Sequence, residues 1–365
     1  MISAPALLRQ LLRCPSVTPA DAGAQAVLIG VLEGVGFEVT KLRFGEIENF
    51  FAERKGTGKH LCFAGHTDVV PPGEGWSHGP FAGEEDAGVI YGRGAVDMKG
   101  GIAAFVAACA REAGHVSLLI TGDEEGDAVD GTVRVLEWMQ TAGKIPDFCV
   151  VGEPTSRTWL GDVVKVGRRG SLNATIVMPG RQGHAAYPHL AENAVHKLVP
   201  VLAELAGVKL DDGSEFFEPS TLQITSVDVG NKVTNIIPGE AVAKLNIRFN
   251  DLHSGASLTS WLKDVLSRHA PGAALSVKIS GESFLTQQGA EVAALVRAIE
   301  SVTGHQPERN TGGGTSDARF IARYCPVMEF GLVGTTMHKV DEAVPVVELE
   351  QLTDVYAALI RGFCR

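Results

Sequence analysis

Short apolar runs alternate with helical stretches along the first part of the chain, and this alternation sets the expected fold. Ser3 followed by Pro5 reads as the N-cap and first-turn proline of a helix to about Arg13. Asp21 caps a second helix that ends near Gly34–Gly36. Phe37–Phe44, Phe50–Arg54 and His60–Ala64 have the composition of strands, and alanine-rich Met98–Ala113 that of a buried helix. Val116–Thr121 is a strand, Gly131–Ala142 a helix and Phe148–Val151 another strand. This order predicts an α/β fold with a mainly parallel, helix-covered sheet. The rhythm changes after Gly167. Ser171–Met178, Thr221–Val229 and Ala241–Phe249 read as half-buried strands, with helices Asn193–Ala206 and Leu258–His269 between them. A smaller α+β domain is therefore expected as an insertion. Helix Glu291–Val302 and strand Pro326–Phe330 then restore the first pattern. The expected division is residues 1–168 with 284–365 for the larger domain and 169–283 for the insert.

The chain's 365 residues exceed the size at which one core usually stops growing, which fits two domains. A net charge of −11 leaves no broad basic surface for nucleic acid, so an anionic ligand must be met by local arginines. The six cysteines are scattered, without a C-x-x-C pair, mostly in apolar runs; buried thiols in a reducing, cytoplasmic setting are expected. Met1-Ile2-Ser3-Ala4-Pro5 lacks the basic and apolar regions of a secretory signal, and Gly101–Ala110 is too short to span a bilayer.

Five metal-ligand types punctuate the chain at the ends of apolar runs: His66, Asp97, Glu125, Glu153 and His338. Carboxyl ends of parallel strands collect chemistry, and two imidazoles with three carboxylates suit a pair of zinc-like ions. Asp68, two residues after His66, is spaced to fix the imidazole's other nitrogen. Glu124 beside Glu125 crowds negative charge, which cations relieve; one carboxylate can bind metal while the other acts as general base. Singly, these signals have blander readings: Asp97 as a helix N-cap, Asp123–Asp127 as a solvated acidic loop, His338 as a structural histidine. Gly92-Arg93-Gly94 begins like a dinucleotide fingerprint, but Asp97 stands where its third glycine belongs. Gly56-Thr57-Gly58-Lys59 lacks the rest of a phosphate loop. A nicotinamide-dependent oxidoreductase is thereby disfavoured.

The segments His66–Gly73, Gly92–Gly100, Asp123-Glu124-Glu125, Gly152-Glu153-Pro154 and His338-Lys339 together resemble the dizinc M20 peptidase and deacylase family. Gly167–Ser171, Gln182–Asn193 and Thr311–Phe320 extend the resemblance over essentially the whole chain. It implies two zinc ions per subunit, with cobalt or manganese also acceptable to the ligand set. Asp97 would bridge them, His66 and Glu153 would hold one, and Glu125 and His338 the other. Glu124 would be general base and then proton donor, Asp68 would orient His66, and His184 would stabilise the oxyanion. Arg168, Ser171, Tyr187, Asn235, Arg248, Gly314, Thr315 and Arg319 fall on substrate-contacting positions. The implied reaction is hydrolysis of N-succinyl-LL-2,6-diaminopimelate, a small anionic amide on the route to lysine and cell-wall precursors. The insert would pair two subunits into a homodimer, with His184 entering the neighbour's site. Thr234 and Gly334 depart from the family's asparagines at substrate-contacting positions, which bears on the choice of acyl group or amine. A sibling deacylase such as acetylornithine deacetylase, a dipeptidase, or an inactive metal-binding scaffold are the alternatives.

Overall fold

The computed structural model describes residues 2–365, which fold as two compact units. The larger comprises residues 2–167, Thr286–Asn310 and Ser316–Arg365; the smaller comprises Arg168–Leu285 and Thr311–Thr315.

The larger unit is built on an eight-stranded sheet. Its order is Glu38–Phe44, Ile47–Arg54, Val116–Thr121, Leu61–His66, Phe148–Val151, Val327–Glu329, Val163–Lys165, Glu308–Asn310. The four strands from Val116–Thr121 to Val327–Glu329 run parallel; the hairpin Glu38–Phe44 with Ile47–Arg54 adds antiparallel strands at one edge. The apolar runs are continuous here because both faces are covered: every residue of Leu61–His66, Val116–Thr121 and Phe148–Val151 is buried. Helices Ala4–Leu12, Lys99–Arg111, Ala290–Thr303 and Val346–Phe363 pack together as one layer. Tyr356 anchors that layer: its ring meets Phe63, Phe105 and Phe330, and its hydroxyl donates to the Phe330 carbonyl at 2.7 Å. Gly152 is needed for this packing, since a Cβ there would stand 2.3 Å from the Phe63 ring. Ser3 caps the first helix as expected, accepting from Ala6 N; the cap position of the second is Gly23, and Asp21, two residues before it, accepts from Gly23 N and Gln25 N.

The smaller unit is an antiparallel sheet, Thr221–Asp228, Glu240–Phe249, Gly170–Pro179, Ala274–Gly281, with helices Ala194–Gly207 and Gly255–His269 on one face. Period-2 alternation decides which side chains meet the helices. Leu172, Ala174, Ile176 and Met178, with Ala243, Leu245 and Ile247, face them and are buried. Asn193 caps the first helix by accepting from Val195 N and His196 N, and Ser254 with Ser257 forms a capping box on the second.

The structure adds to and corrects the pattern reading. Strand Ala274–Gly281 and the 18-residue helix Val346–Phe363 were not anticipated. The apolar run before His338, residues 330–337, is loop and a short 3₁₀ turn, Gly334–Thr336. Val89–Tyr91, which leads to Asp97, belongs to a separate three-stranded sheet with Glu84–Asp86 and Ala343–Pro345. Arg168 and Thr311–Thr315 group with the smaller unit, because Arg168 donates to the carbonyls of Gly312 and Gly314 and Thr311 donates to that of Phe216.

Candidate metal centre

His66 is the last residue of its strand, and Glu153 lies two residues past the end of the neighbouring one. Glu124 and Glu125 follow Val116–Thr121 on the other side, so three of the ligand-bearing segments leave one end of the parallel block. Asp97 and His338 reach the same place from loops. Asp97 precedes helix Lys99–Arg111 but does not cap it, since the cap position is Met98 and no side chain bonds there. His338 has a left-handed backbone, φ 61°, beyond the 3₁₀ turn.

The side chains converge. His66 Nε2 lies 3.3 Å from Asp97 Oδ1 and 3.8 Å from Glu153 Oε1. His338 Nε2 lies 2.8 Å from Glu125 Oε1 and 3.3 Å from Asp97 Oδ2. Asp97 thus presents one oxygen to each imidazole. The tautomer follows from the other ring nitrogen: His66 Nδ1 is 2.9 Å from the backbone carbonyl of Asp68, which only accepts. Nδ1 therefore carries the proton in the neutral ring, and Nε2 aims a lone pair at carboxylate oxygens. Buried His66 Nε2 and Asp97 Oδ1 complete no well-directed hydrogen bond. Lone pairs facing one another in a buried site are relieved by a proton or by a cation between them, and this donor set fits divalent zinc-like ions.

The electrostatics agree. Burial pulls the His66 pKa down, but Asp97, Glu124, Asp68 and Glu153 together drive it well above an ordinary imidazole. Asp97 and Glu125 raise His338 to about 10. Burial opposes ionisation of Asp97, yet His338 and His66 hold it well below the usual carboxylate range. Glu124 is pushed up to about 8, first by burial and then by Asp317, Glu125 and Asp97, against the pull of His66. Carboxylates this crowded are the groups a pair of cations would relieve.

Asp68 acts differently from expectation. Its carbonyl, not its carboxylate, orients His66; the carboxylate, fully buried, accepts from the amides of Glu124 at 3.3 Å and Glu125 at 3.1 Å. It therefore fixes the backbone that carries Glu124 and Glu125. Two acidic residues escaped the sequence reading. Asp317 is buried and lines a cavity of about 10 Å³ with His66, Glu124, Glu153 and Thr132. Glu342 is fully buried against the loop of Asp97. Asp317 stood inside the singled-out Thr311–Phe320, whereas no motif in the chain marked Glu342. A cavity of about 740 Å³ between Pro19–Ile29 and Lys41–Asn49 contains no candidate ligand, so volume does not mark the chemistry here.

A second cluster, Glu53, His60 and His115, lies where the same strands begin. Its rings are stacked at 4.1 Å and 4°, so their lone pairs lie in two separate parallel planes and cannot both point in-plane at one ion. Lys144 already pairs with Glu53. That chemistry suits a proton network, not a metal.

The remaining predicted residues, apart from Arg319, lie in the smaller unit. Ser171 and Arg248 are register partners on adjacent strands, and alternation puts them on the face opposite the helices. Arg168 is buried, holding the loop that contains Gly314 and Thr315. His184 lies on a two-stranded ribbon, Gly183–His184 with Ile236–Ile237, where Ala185 N donates to Asn235 O and the Tyr187 ring stands 5.5 Å from the imidazole. Both His184 and Tyr187 are exposed. Arg319, in the larger unit, lies over the Phe320 ring. Thr234 is exposed, and a Cβ at Gly334 would stand 2.8 Å from the Pro154 carbonyl, which makes that position intolerant of a larger residue here.

Comparison with known proteins places this geometry. The chain is 61% identical over 366 residues to the succinyl-diaminopimelate desuccinylase of Gluconacetobacter diazotrophicus, covering 97% of this chain and 95% of the relative. It is 60% identical over 369 residues to the succinyl-diaminopimelate desuccinylase of Gluconobacter oxydans, covering 98% and 97%. Among solved structures, aminopeptidase PepT from Bacillus cereus superposes with a TM-score of 0.80 at 18% identity, covering 100% of both chains, a likeness of fold. Residues 62–362, which carry all five candidate ligands, match Peptidase family M20/M25/M40, and the chain belongs to that family.

Proposed function

We propose that the chain hydrolyses N-succinyl-LL-2,6-diaminopimelate to succinate and LL-2,6-diaminopimelate, using two zinc ions per subunit that cobalt can replace. It is a metal-dependent hydrolase of a linear amide, in diaminopimelate and lysine biosynthesis. The observation that carries the reading is the convergence of His66, Asp97, Glu125, Glu153 and His338 around Glu124, in a chain so close to named desuccinylases. Asp97 would serve both ions, His66 and Glu153 one, Glu125 and His338 the other. Bound divalent ions supply Lewis acidity toward the scissile carbonyl and bring the pKa of water toward neutrality.

Glu124 takes the proton of the attacking water on its carboxylate and later delivers it to the departing nitrogen. Asp68 keeps the Glu124 and Glu125 amides in place during that exchange. His184 donates to the developing oxyanion. Arg168, Arg248 and Arg319, with Ser171, Tyr187, Asn235, Gly314 and Thr315, receive the substrate's carboxylates and amide; guanidinium groups match carboxylates in two-point geometry. Two copies associate through the smaller unit, and each contributes its His184 to the other's site. An open outer edge on strand Thr221–Asp228 is compatible with such pairing. Five of the six cysteines are buried, and a cytoplasmic location is part of this reading.

The test is succinate release by the purified protein from the named substrate, beside N-acetylornithine and dipeptides. Turnover confined to the succinylated substrate, lost on chelation and restored by zinc or cobalt, is expected. Equal kcat/KM on N-acetylornithine would overturn the substrate assignment.

A further inference from the structure

We infer that Glu342 is a positioning residue that holds Asp97 and His338 at the spacing of the ion site they share with Glu125. The inference rests on the reading of those three side chains as metal ligands. Glu342 is fully buried, and each of its oxygens receives two donors. Oε1 accepts from Val96 N at 2.8 Å and Asp97 N at 3.1 Å; Oε2 accepts from Arg93 Nη1 at 2.6 Å and Gly94 N at 3.0 Å. A buried carboxylate with that many charge-assisted bonds fixes the backbone around it.

What it fixes is the loop carrying Asp97, and it does so from the loop carrying His338. Gly92 N donates to the Glu342 carbonyl, and Ala343–Pro345 pairs with Val89–Tyr91. Thr336 Oγ1 closes the other loop by donating to Ala343 O and accepting from Ala343 N. The two segments are thus braced from the strand pair to their ends, where His338 Nε2 faces Asp97 Oδ2 at 3.3 Å. Glu342, four residues beyond His338, bonds the Asp97 amide directly. Groups that hold a metal's ligands typically cost ~10–100-fold in affinity when removed.

Glu342→Gln is a severe test despite its shape. Since both oxygens accept two donors, the amide NH₂ meets two donors in either orientation, and two acceptors are lost. Metal-stripped wild type, Glu342→Gln and Glu342→Asp are titrated with Zn²⁺ by calorimetry and with Co²⁺ by visible absorption. Glu53→Gln, which removes another buried carboxylate of the same unit, controls for general loosening. The expected result is two ions in wild type and Glu53→Gln, with one ion weakened ~10–100-fold in Glu342→Gln and its Co²⁺ spectrum altered. Glu342→Asp keeps the charge and is expected between the two; if Glu342→Gln does not fold, weakened binding by folded Glu342→Asp supports the inference, and unchanged binding overturns it. Wild-type affinities in Glu342→Gln, or an equal loss in Glu53→Gln, also overturn it while leaving the metal reading intact. A wild type that binds no divalent ion removes both.

Discussion

At the residue scale the decisive distinction is between Glu124 and Glu125, adjacent in sequence and different in surroundings. Glu125 meets His338 at 2.8 Å, whereas Glu124 shares a buried cavity with His66, Glu153 and Asp317. Atoms of His66, Glu124 and Glu153 also lie close enough for one ion, so Glu124 is within reach of metal and its role needs a direct test. Glu124→Ala is expected to retain both ions and lose at least ~10²–10⁴-fold in kcat, as loss of a general base does. Glu125→Ala is expected to lose one ion; metal analysis showing the reverse pattern would swap the two roles. Arg168 gives a second test. Its guanidinium already donates to Gly312 and Gly314 carbonyls at 3.2 and 3.0 Å, so its removal loosens the loop of Gly314 and Thr315 as well as removing a charge. Arg168→Ala should raise KM ~10–150-fold, the worth of one charge-assisted bond. An unchanged KM sinks its assignment to substrate.

At the element scale, the beginnings of the central strands hold a separate electrostatic device. His60 precedes Leu61–His66 and His115 precedes Val116–Thr121; their rings stack beside Glu53, Lys144 and Asp147. Burial first, and then His115, push His60 down to about 4. The sign follows directly. The unfolded chain takes up this proton near an ordinary pKa of ~6.5, the folded chain only near 4. Stability from His60 is therefore present above ~6.5, falls as pH drops from ~6.5 to about 4, and is flat below. Urea midpoints of wild type and His60→Gln should converge across that window, because the variant lacks the titration. A constant gap between the two proteins from pH 7 to 4.5 would exclude His60 as the source. Elements also explain why the strand ends were readable. Runs buried on both faces must be continuously apolar, so a polar residue ending one stands out, as His66 does.

At the scale of the whole molecule, the five candidate ligands belong to one compact unit and His184 to the other. The proposed exchange of His184 between two copies makes a quantitative prediction. Glu124→Ala and His184→Ala proteins, each nearly inactive, are co-expressed or co-refolded. A heterodimer then has one site lacking both residues and one site with both intact. Random pairing makes about half the dimers mixed, so activity should return to about a quarter of wild type under two-fold symmetry. Confirmed heterodimers as inactive as their parents would restrict His184 to its own chain or remove it from the reaction.

By itself the sequence determined the parallel α/β sheet, the inserted α+β pattern, the Ser3 cap and all five converging side chains. These rest on local chemistry: period, capping and the contrast of a polar residue ending an apolar run. His66 and Glu153 were legible for that reason. Tertiary structure alone decided what depends on distant partners. Asp97 and His338 reach the site through loops, one leading from a separate small sheet and one with a left-handed histidine. Asp68 works through its carbonyl on one side and its carboxylate on the other. No local pattern marks Glu342; Arg93 and three amides, 245 to 249 positions away in sequence, close around it only in the folded chain. A carboxylate's role is set by the donors that surround it, and those are assembled only when the chain folds.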